Sequence, residues 1–273
     1  MVESSCEAIS IEPLSAVSVQ RLVAGTLKSA QDVVAEEVPI ALEYNGISHV
    51  VMMATPANLQ DFAVGFSLTE GIIDSTRDIY DCEVMPVENG VRVALDISSR
   101  CFARLKERRR NLTGRTGCGL CGVDSLAQVR RALPPVQGIT KISGASVQVA
   151  LDNLSGFQPI FKETGATHGA FWVTEGGSIA CAREDVGRHN AIDKLIGALA
   201  QSGCDFATGA VLITSRASFE IVQKAAAVGI GLVAAVSAPT SLAIKVAEEL
   251  NVSLIGFVRA KEYVVYASSR GVC

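Results

Sequence analysis

Three almost wholly apolar runs begin near Ala210, Gly231 and Val252, about 21 residues apart, with helical periodicity between them at Phe219 to Val228 and Ser241 to Leu250. Strands that read as continuous apolar runs are buried on both faces, which a parallel sheet flanked by helices provides. The pattern predicts a strand-helix-strand-helix-strand unit with right-handed crossovers. The spacing upstream predicts an amphipathic helix near Val147 to Phe161, then strands Phe171 to Thr174 and Ser178 to Arg183 joined by a Glu-Gly-Gly turn, then a helix from Ala191 to Ala200. The longest uncharged stretch, Ala225 to Ile244, is cut by Gly229, Gly231, Ser237, Pro239, Thr240 and Ser241 into helix end, strand and helix start, so no transmembrane segment is expected.

The first half mixes signals. Strand-like runs at Ile40 to Tyr44 and His49 to Met53 precede a helix from Pro56, with Leu59, Phe62, Ala63 and Phe66 on one face, Thr55 as its cap and Gly71 at its end. Short alternating segments near Cys82 to Met85 and Val91 to Ile97 suggest a small sheet. The expected division is an N-terminal α+β domain over 1–112, a mobile Cys-x-x-Cys loop with a connecting helix over 113–140, and an α/β domain over 141–273. In the middle part Ser125 and Gln128 fit a capping box opening a helix from Leu126 to Leu133, which Pro134 and Pro135 close.

Hydrophobic residues make up 49% of the 273 and charged ones 19%, which fills a core and excludes a disordered chain. The formal net charge is -4, so the cluster Arg104, Lys106, Arg108, Arg109 and Arg110 reads as a solvated or docking helix face, and no nucleic-acid surface is implied. The eight cysteines do not form a secreted disulfide pattern in a chain this long. Met1 to Gln20 carries Glu3, Glu7 and Glu12 with no apolar run and cleavage site, so a reducing cytoplasm is expected.

Ligands of open α/β sheets bind beyond the carboxyl ends of the strands, near helix N-termini. Here those ends read Thr214-Ser215-Arg216-Ala217-Ser218, Ser237-Ala238-Pro239-Thr240 and Phe257-Val258-Arg259, a gathering of hydroxyls and arginines suited to an anion. The plainer reading is that Ser218 and Thr240 cap their helices and the arginines are exposed. No GxGxxG or GxxxxGK[ST] is present. A second polar cluster runs from Arg183 to Asn190. Its His189, like His168, suits phosphate binding, purine contact or proton movement, while Arg183, Asp185 and Arg188 equally suit a structural ion-pair network.

The remaining chemistry lies in Thr116 to Gly122, TGCGLCG, where Gly114, Gly117, Gly119 and Gly122 surround Cys118 and Cys121. A metal knuckle normally needs four thiolates, and no second C-x-x-C exists. Thioredoxin-like chemistry places the first cysteine at the start of a helix that follows a strand, and here the helix begins too late. Group transfer needs a thiolate with reach and an acceptor pocket, and both are visible.

GRTGCGLCGVDSL, TPANLQDFAVGFSLTEGII, THGAF, REDVGRHNAIDKLIG, SRASFEIVQKA and VSAPTSLAIKVAEE, in this order between about Pro39 and Tyr266, resemble the formate dehydrogenase accessory sulfurtransferases, the FdhD/NarQ family. The resemblance implies a cytoplasmic sulfur carrier and a fold similar to cytidine deaminases, giving an α/β class with a deaminase-like C-terminal sheet. It implies a cysteine desulfurase as sulfur donor, and as acceptor the molybdenum bis(molybdopterin guanine dinucleotide) cofactor destined for the formate dehydrogenase catalytic subunit. Carried onto this sequence, Cys118 bears the persulfide and Cys121 assists, while Phe257, Val258, Arg259, Ala260, Lys261 and Glu262 match the cofactor-binding segment. Ser215, Arg216, Ser237 and Thr240 complete the expected cradle. A permanent cofactor or resident metal is not expected, and deamination is not, since H-x-E and P-C-x-x-C are missing. A homodimer is the expected assembly, and a non-enzymatic cofactor chaperone or metal-knuckle protein is the competing reading.

Overall fold

The computed structural model describes residues 11–113, 131–138, 141–259, 262–268 and 271. The chain opens with an antiparallel ribbon, β1 (Leu14–Val23) and β2 (Thr26–Ala35), that sequence periodicity did not suggest. Ala24 and Gly25 turn it with φ of 48° and 82°, the pair of positive angles that a tight two-residue hairpin demands.

A four-stranded sheet follows, built from β3 (Val38–Tyr44), β4 (Ile47–Ala54), β5 (Ile79–Val87) and β6 (Gly90–Ile97) in the order β4-β3-β6-β5. Alternation places Ile40, Leu42 and Tyr44 of β3 and Val91, Val93, Leu95 and Ile97 of β6 on one buried face. Helices α1 (Leu59–Thr69) and α2 (Ser99–Thr113) cover that face through Leu59, Phe62, Phe66, Cys101 and Leu105. The expected start of α1 is corrected. Asn58, in the left-handed region at φ 55°, is its N-cap, and Thr55 is taken up elsewhere. Glu70 is the C-cap, and Gly71 then turns the chain at φ +63°, a conformation glycine takes without strain.

The second half begins with α3 (Gly144–Asn153), a short 3₁₀ turn at Leu154–Phe157 and α4 (Pro159–Thr164). The single helix expected over Val147 to Phe161 is therefore two. Pro159 carries no N–H and pushes the preceding residue off the helical region, and Gln158 sits at φ -122°, ψ 64°. The connecting helix expected to reach Leu133 does not include Arg131 to Leu133, which are irregular, and the rest of that helix lies outside the described residues.

The six-stranded sheet consists of β7 (His168–Thr174), β8 (Ile179–Asp185), β9 (Gly209–Ile213), β10 (Leu232–Ala235), β11 (Ser253–Arg259) and β12 (Glu262–Ala267), ordered β12-β11-β10-β9-β7-β8. As the apolar runs predict, β9, β10 and β11 are mutually parallel. β7 is antiparallel to both β8 and β9, so β8 points the same way as the parallel trio. Helices α5 (Arg188–Gln201), α6 (Phe219–Ala227) and α7 (Ser241–Glu249) pack on one face through Ile192, Leu195, Ile221, Val222 and Val246. On the other face α3 packs through Val147 and Ala150, against Phe171, Leu212 and Ile255. Covering both faces explains why these strands carry almost no polar residue.

The two sheets are joined by α1 lying on α5, at a contact that is polar as well as apolar. Thr55, expected as a helix cap, instead ties the halves together. Its N–H donates to Asp185 Oδ2 (3.1 Å), its carbonyl accepts from Lys194 Nζ (2.8 Å) and its hydroxyl accepts from the Val186 N–H (3.1 Å). Among the described residues no helix is long and apolar enough to cross a membrane.

Candidate functional site at the strand ends

Because β8 runs with β9, β10 and β11, four strands end on the same edge, and α5, α6 and α7 all begin there. The loops at this edge interlock through their backbones. Ala217 pairs with Pro239 as an isolated parallel bridge, the Thr240 N–H donates to the Ala217 carbonyl (3.0 Å), and the Phe257 N–H donates to the Ser237 carbonyl (3.2 Å). The segments containing Ser215, Arg216, Ser237, Thr240 and Phe257 are thus brought together as the sequence led us to expect.

Their side chains divide into distinct roles. Thr240 caps α7, its hydroxyl accepting from the Ala243 N–H at 3.2 Å. Ser218 is the N-cap of α6 by backbone conformation, but its hydroxyl makes no cap bond and turns to His189 instead. Ser215 is buried and donates to the Arg216 carbonyl (3.1 Å), whereas Arg216 is exposed. Val258 turns its side chain into the core, leaving only its backbone for the edge. Phe257 is half-exposed, its ring 6.5 Å from that of Tyr266, and it holds φ at +50°. A left-handed bulky residue costs about 1–3 kcal/mol and survives where the surroundings impose it. Gly256 beside it cannot carry a side chain, since a Cβ would lie 2.9 Å from Pro239 Cδ. Arg259 and Glu262 are opposite each other across the β11–β12 turn, both exposed. Ala260, Lys261, Cys118 and Cys121 lie outside the described residues.

The polar cluster from Arg183 to Asn190 separates into a structural part and a remainder at the start of α5. Arg183 Nε pairs with Asp61 at 2.7 Å. Glu184 accepts from the Ile160 and Phe161 N–H groups at the start of α4, and from the Thr167 hydroxyl. Asp185 pairs with Lys194 at 2.6 Å, both fully buried, and accepts from Asn190 Nδ2 at 2.9 Å. Arg188 and His189, at the first turn of α5, remain. His189 Nε2 lies 2.9 Å from Glu220 Oε2 and 3.2 Å from Ser218 Oγ. Burial holds His189 below the usual histidine range, opposed by the Glu220 carboxylate, and burial with the nearby Arg188 charge does the same to His168. Both imidazoles are accordingly neutral at neutral pH. Glu220 was not anticipated as the histidine's partner, and its only signal is an acidic residue in the first turn of a helix.

Among the described residues Arg188, Arg216 and Arg259 make no ion pair, whereas Arg183, Lys194 and Lys224 elsewhere do. The Arg188 Nε is buried with no hydrogen-bond partner among the described residues. Unpaired guanidinium groups beside three helix N-termini make this edge favourable to anions.

Other groupings have their needs met. Asp74, Asp78 and Cys101 bring ligand atoms within 4.8 Å of one another, but Arg100 and Arg104 pair with the two carboxylates. A cleft of about 510 Å³, lined by Leu68, Gly71, Arg131, Cys204, Phe206 and Val228, contains none of the edge arginines. The described cysteines, Cys82, Cys101, Cys181 and Cys204, are free thiols. Burial pushes Cys82 up to about 11 and raises Cys181 and Cys204, so none of these three is an activated nucleophile.

Fold and edge together define a mixed α/β protein in which Arg188, Arg216 and Arg259, without ion pairs among the described residues, lie where parallel strands give way to helices. The chain belongs to the FdhD/NarQ family, whose model matches residues 35–273. It is 55% identical over 253 residues to the sulfur carrier protein FdhD of Cupriavidus necator, covering 93% of this chain and 88% of that one. With the protein of the same name from Bordetella petrii it shares 54% over 236 residues, 86% of this chain and 85% of that one. A crystal structure from Desulfotalea psychrophila, described as a formate dehydrogenase accessory protein, superimposes with a TM-score of 0.74 at 20% identity, covering 95% of this chain and 99% of that one, and bears on the fold alone.

Proposed function

We propose that this protein is a sulfur carrier for formate dehydrogenase. Cys118 accepts persulfide sulfur from a cysteine desulfurase, Cys121 assists, and the sulfur passes to the molybdenum bis(molybdopterin guanine dinucleotide) cofactor before it enters the formate dehydrogenase catalytic subunit. The cofactor is cargo here. Its pyrophosphates call for cations and helix N-termini, and the observation that carries the reading is the set of unpaired arginines, Arg188, Arg216 and Arg259, on the edge where α5, α6 and α7 begin. Relatives named sulfur carriers at more than half identity over most of the chain support it. The raised thiols of Cys82, Cys181 and Cys204 remove three of the eight cysteines as rivals to the glycine-rich pair. The cytoplasmic setting, the homodimer and the cytidine-deaminase-like reading of the six-stranded sheet belong to the same proposal.

The test is mass spectrometry after incubation with a cysteine desulfurase and cysteine. The tryptic peptide holding Cys118 is expected to gain the mass of one sulfur atom, and Cys118→Ala to abolish sulfur loading of the cofactor. Normal loading by that variant overturns the assignment. A cofactor that binds the edge with no gain of sulfur at Cys118 favours a chaperone without transfer chemistry.

A further inference from the structure

Glu220 stands on the strand edge with the arginines, yet it pairs with none of them among the described residues. Its Oε2 lies 2.9 Å from His189 Nε2 and 3.4 Å from the Ser218 hydroxyl, while its Oε1 accepts from no group among the described residues. The imidazole is neutral, so the contact leaves the full negative charge on the carboxylate. The side chain is 42% exposed, so a ligand at the edge can reach it.

An acidic residue in the first turn of a helix ordinarily faces the free N–H groups there or offsets the positive pole. The pole explains a charge at this place but not how it is held. Among the described residues no N–H of α6 donates to Glu220, and Ser218 makes no cap bond either, whereas Thr240 does cap α7. The contacts among His189, Ser218 and Glu220 therefore leave the first N–H groups of α6 without a side-chain acceptor and fix a charged acceptor beside them.

A second mismatch lies on the same edge, where β7 begins. Gln158 is only 6% exposed, and its Nε2 has no hydrogen-bond partner among the described residues. That nitrogen lies 2.9 Å from where a Cβ on Gly169 would stand, and Gly169 is hydrogen-bonded to Thr214 at the end of β9. With Arg188 Nε it makes two buried donors that the described fold leaves unsatisfied, a cost that a bound group removes.

The edge thus offers cations, free donors and one fixed anionic acceptor. Its complement is a diphosphate attached to a ring with two adjacent N–H donors. The 2-amino-4-oxopyrimidine ring has them, since its ring N–H and exocyclic amino group lie side by side and a carboxylate accepts from both. Guanine and pterin share this ring. Hypoxanthine lacks the amino group, and adenine sets its amino group beside an unprotonated nitrogen. We propose that Glu220 selects the heterocycle of the cargo: its carboxylate, held by His189 and Ser218, accepts from the ring N–H and 2-amino group common to guanine and pterin. The arginines and the open start of α6 then hold the diphosphate. The inference rests on the sulfur-carrier reading above, in which the cargo carries both rings.

The experiment is titration calorimetry on the full-length chain with guanosine, inosine and adenosine diphosphates and with 6-hydroxymethylpterin diphosphate. The wild-type protein is expected to bind guanosine diphosphate about tenfold more tightly than the inosine or adenosine compound. Glu220→Ala should cut that preference to about twofold or less, with adenosine diphosphate bound as well as before or better, because a negative charge has left the edge. Glu220→Gln, which keeps a neutral acceptor, should fall between. A pterin diphosphate that outcompetes guanosine diphosphate and weakens in Glu220→Ala assigns the pterin to Glu220, and the reverse order assigns the guanine. Equal binding of all four compounds, binding of none, a preference that survives Glu220→Ala, or a uniform loss across the four in that variant each overturns the inference. Selectivity that depends on Glu220 without any gain of sulfur at Cys118 sinks the carrier reading and leaves this one standing, and sulfur gain without selectivity does the opposite.

Discussion

Gly65 and Gly197 face one another where α1 crosses α5, at a separation that admits no side chain on either. A Cβ on Gly65 would lie 1.8 Å from the Asp193 carbonyl oxygen, and one on Gly197 would lie 1.9 Å from the Asp61 carbonyl oxygen. The approach brings Thr69 and Glu70 of α1 against Asp193 and Lys224, where Lys224 Nζ contacts Thr69 Oγ1 (3.1 Å), Glu70 Oε1 (3.0 Å) and Asp193 Oδ2 (2.9 Å). Burial alone would lower Lys224, but the Asp193 and Glu70 charges outweigh it and hold the ammonium above its usual range.

Gly65→Ala and Gly197→Ala should each separate the two helices. Forcing a methyl into a backbone contact costs about 3 kcal/mol or more. At this chain length that corresponds to a fall in Tm of roughly 6–12 °C, read by calorimetry. Ala substitution at Gly176, where a Cβ meets nothing within 4 Å, is the control and should leave Tm nearly unchanged.

Asp185→Ala should be as damaging for a different reason. It strands the fully buried Lys194 ammonium and removes the acceptor for the Thr55 and Gly187 N–H groups. Breaking a buried pair from one side costs about 3–5 kcal/mol. Urea unfolding measures it, and Lys194→Met combined with Asp185→Ala should recover part of the loss.

The pH dependence has two limbs. At Asp78 burial would raise the carboxyl, but hydrogen bonds from Ser98, the Asp74 and Ser75 N–H groups and Arg100 outweigh it and lower it to about 2. The stability it contributes is complete above the unfolded carboxylate range near ~4 and is lost as pH falls toward about 2. Asp78→Asn should remove its share of that acid limb, leaving the share of Asp74, which its hydrogen bond and ion pairs with Arg104 and Arg100 also hold low. His189 has the same sign in a higher window, since a lowered histidine binds fewer protons folded than unfolded, and stability declines as pH falls below ~6.5. Imidazole NMR should place its midpoint below the free value, and His189→Gln should remove that decline.

Arg216→Ala and Arg259→Ala should leave stability within about 0.5 kcal/mol, because neither side chain is buried or ion-paired among the described residues. Each should weaken binding of guanosine diphosphate, measured calorimetrically, by about 1.5–3 kcal/mol, the scale of a charge-assisted hydrogen bond. Equal affinity in the double variant would remove this edge as the anion cradle.

Much of the second half was legible because its signals are local. Alternate runs of apolar and helical residues in Ala210 to Arg259 report strands buried on both faces, and the positions of Ser215, Arg216, Ser237 and Thr240 at the strand ends follow from that order. The β1–β2 ribbon was illegible because its residues are mostly exposed and carry little apolar alternation. The helix break at Pro159 was readable in principle, but apolar periodicity on both sides concealed it.

The amino-acid order by itself determined the parallel sheet, the strand-end loops and the family, since each is written in residues adjacent along the chain. Only the tertiary structure decided that Thr55 joins two sheets, that Arg183 and Asp185 serve ion pairs while Arg188 has none among the described residues, and that Arg131 and Arg108 meet on α1. Those outcomes depend on partners up to about 140 residues away in sequence, such as Thr55 and Lys194. A side chain's role there is set by which desolvated group it must satisfy, and that is known only once distant helices have packed.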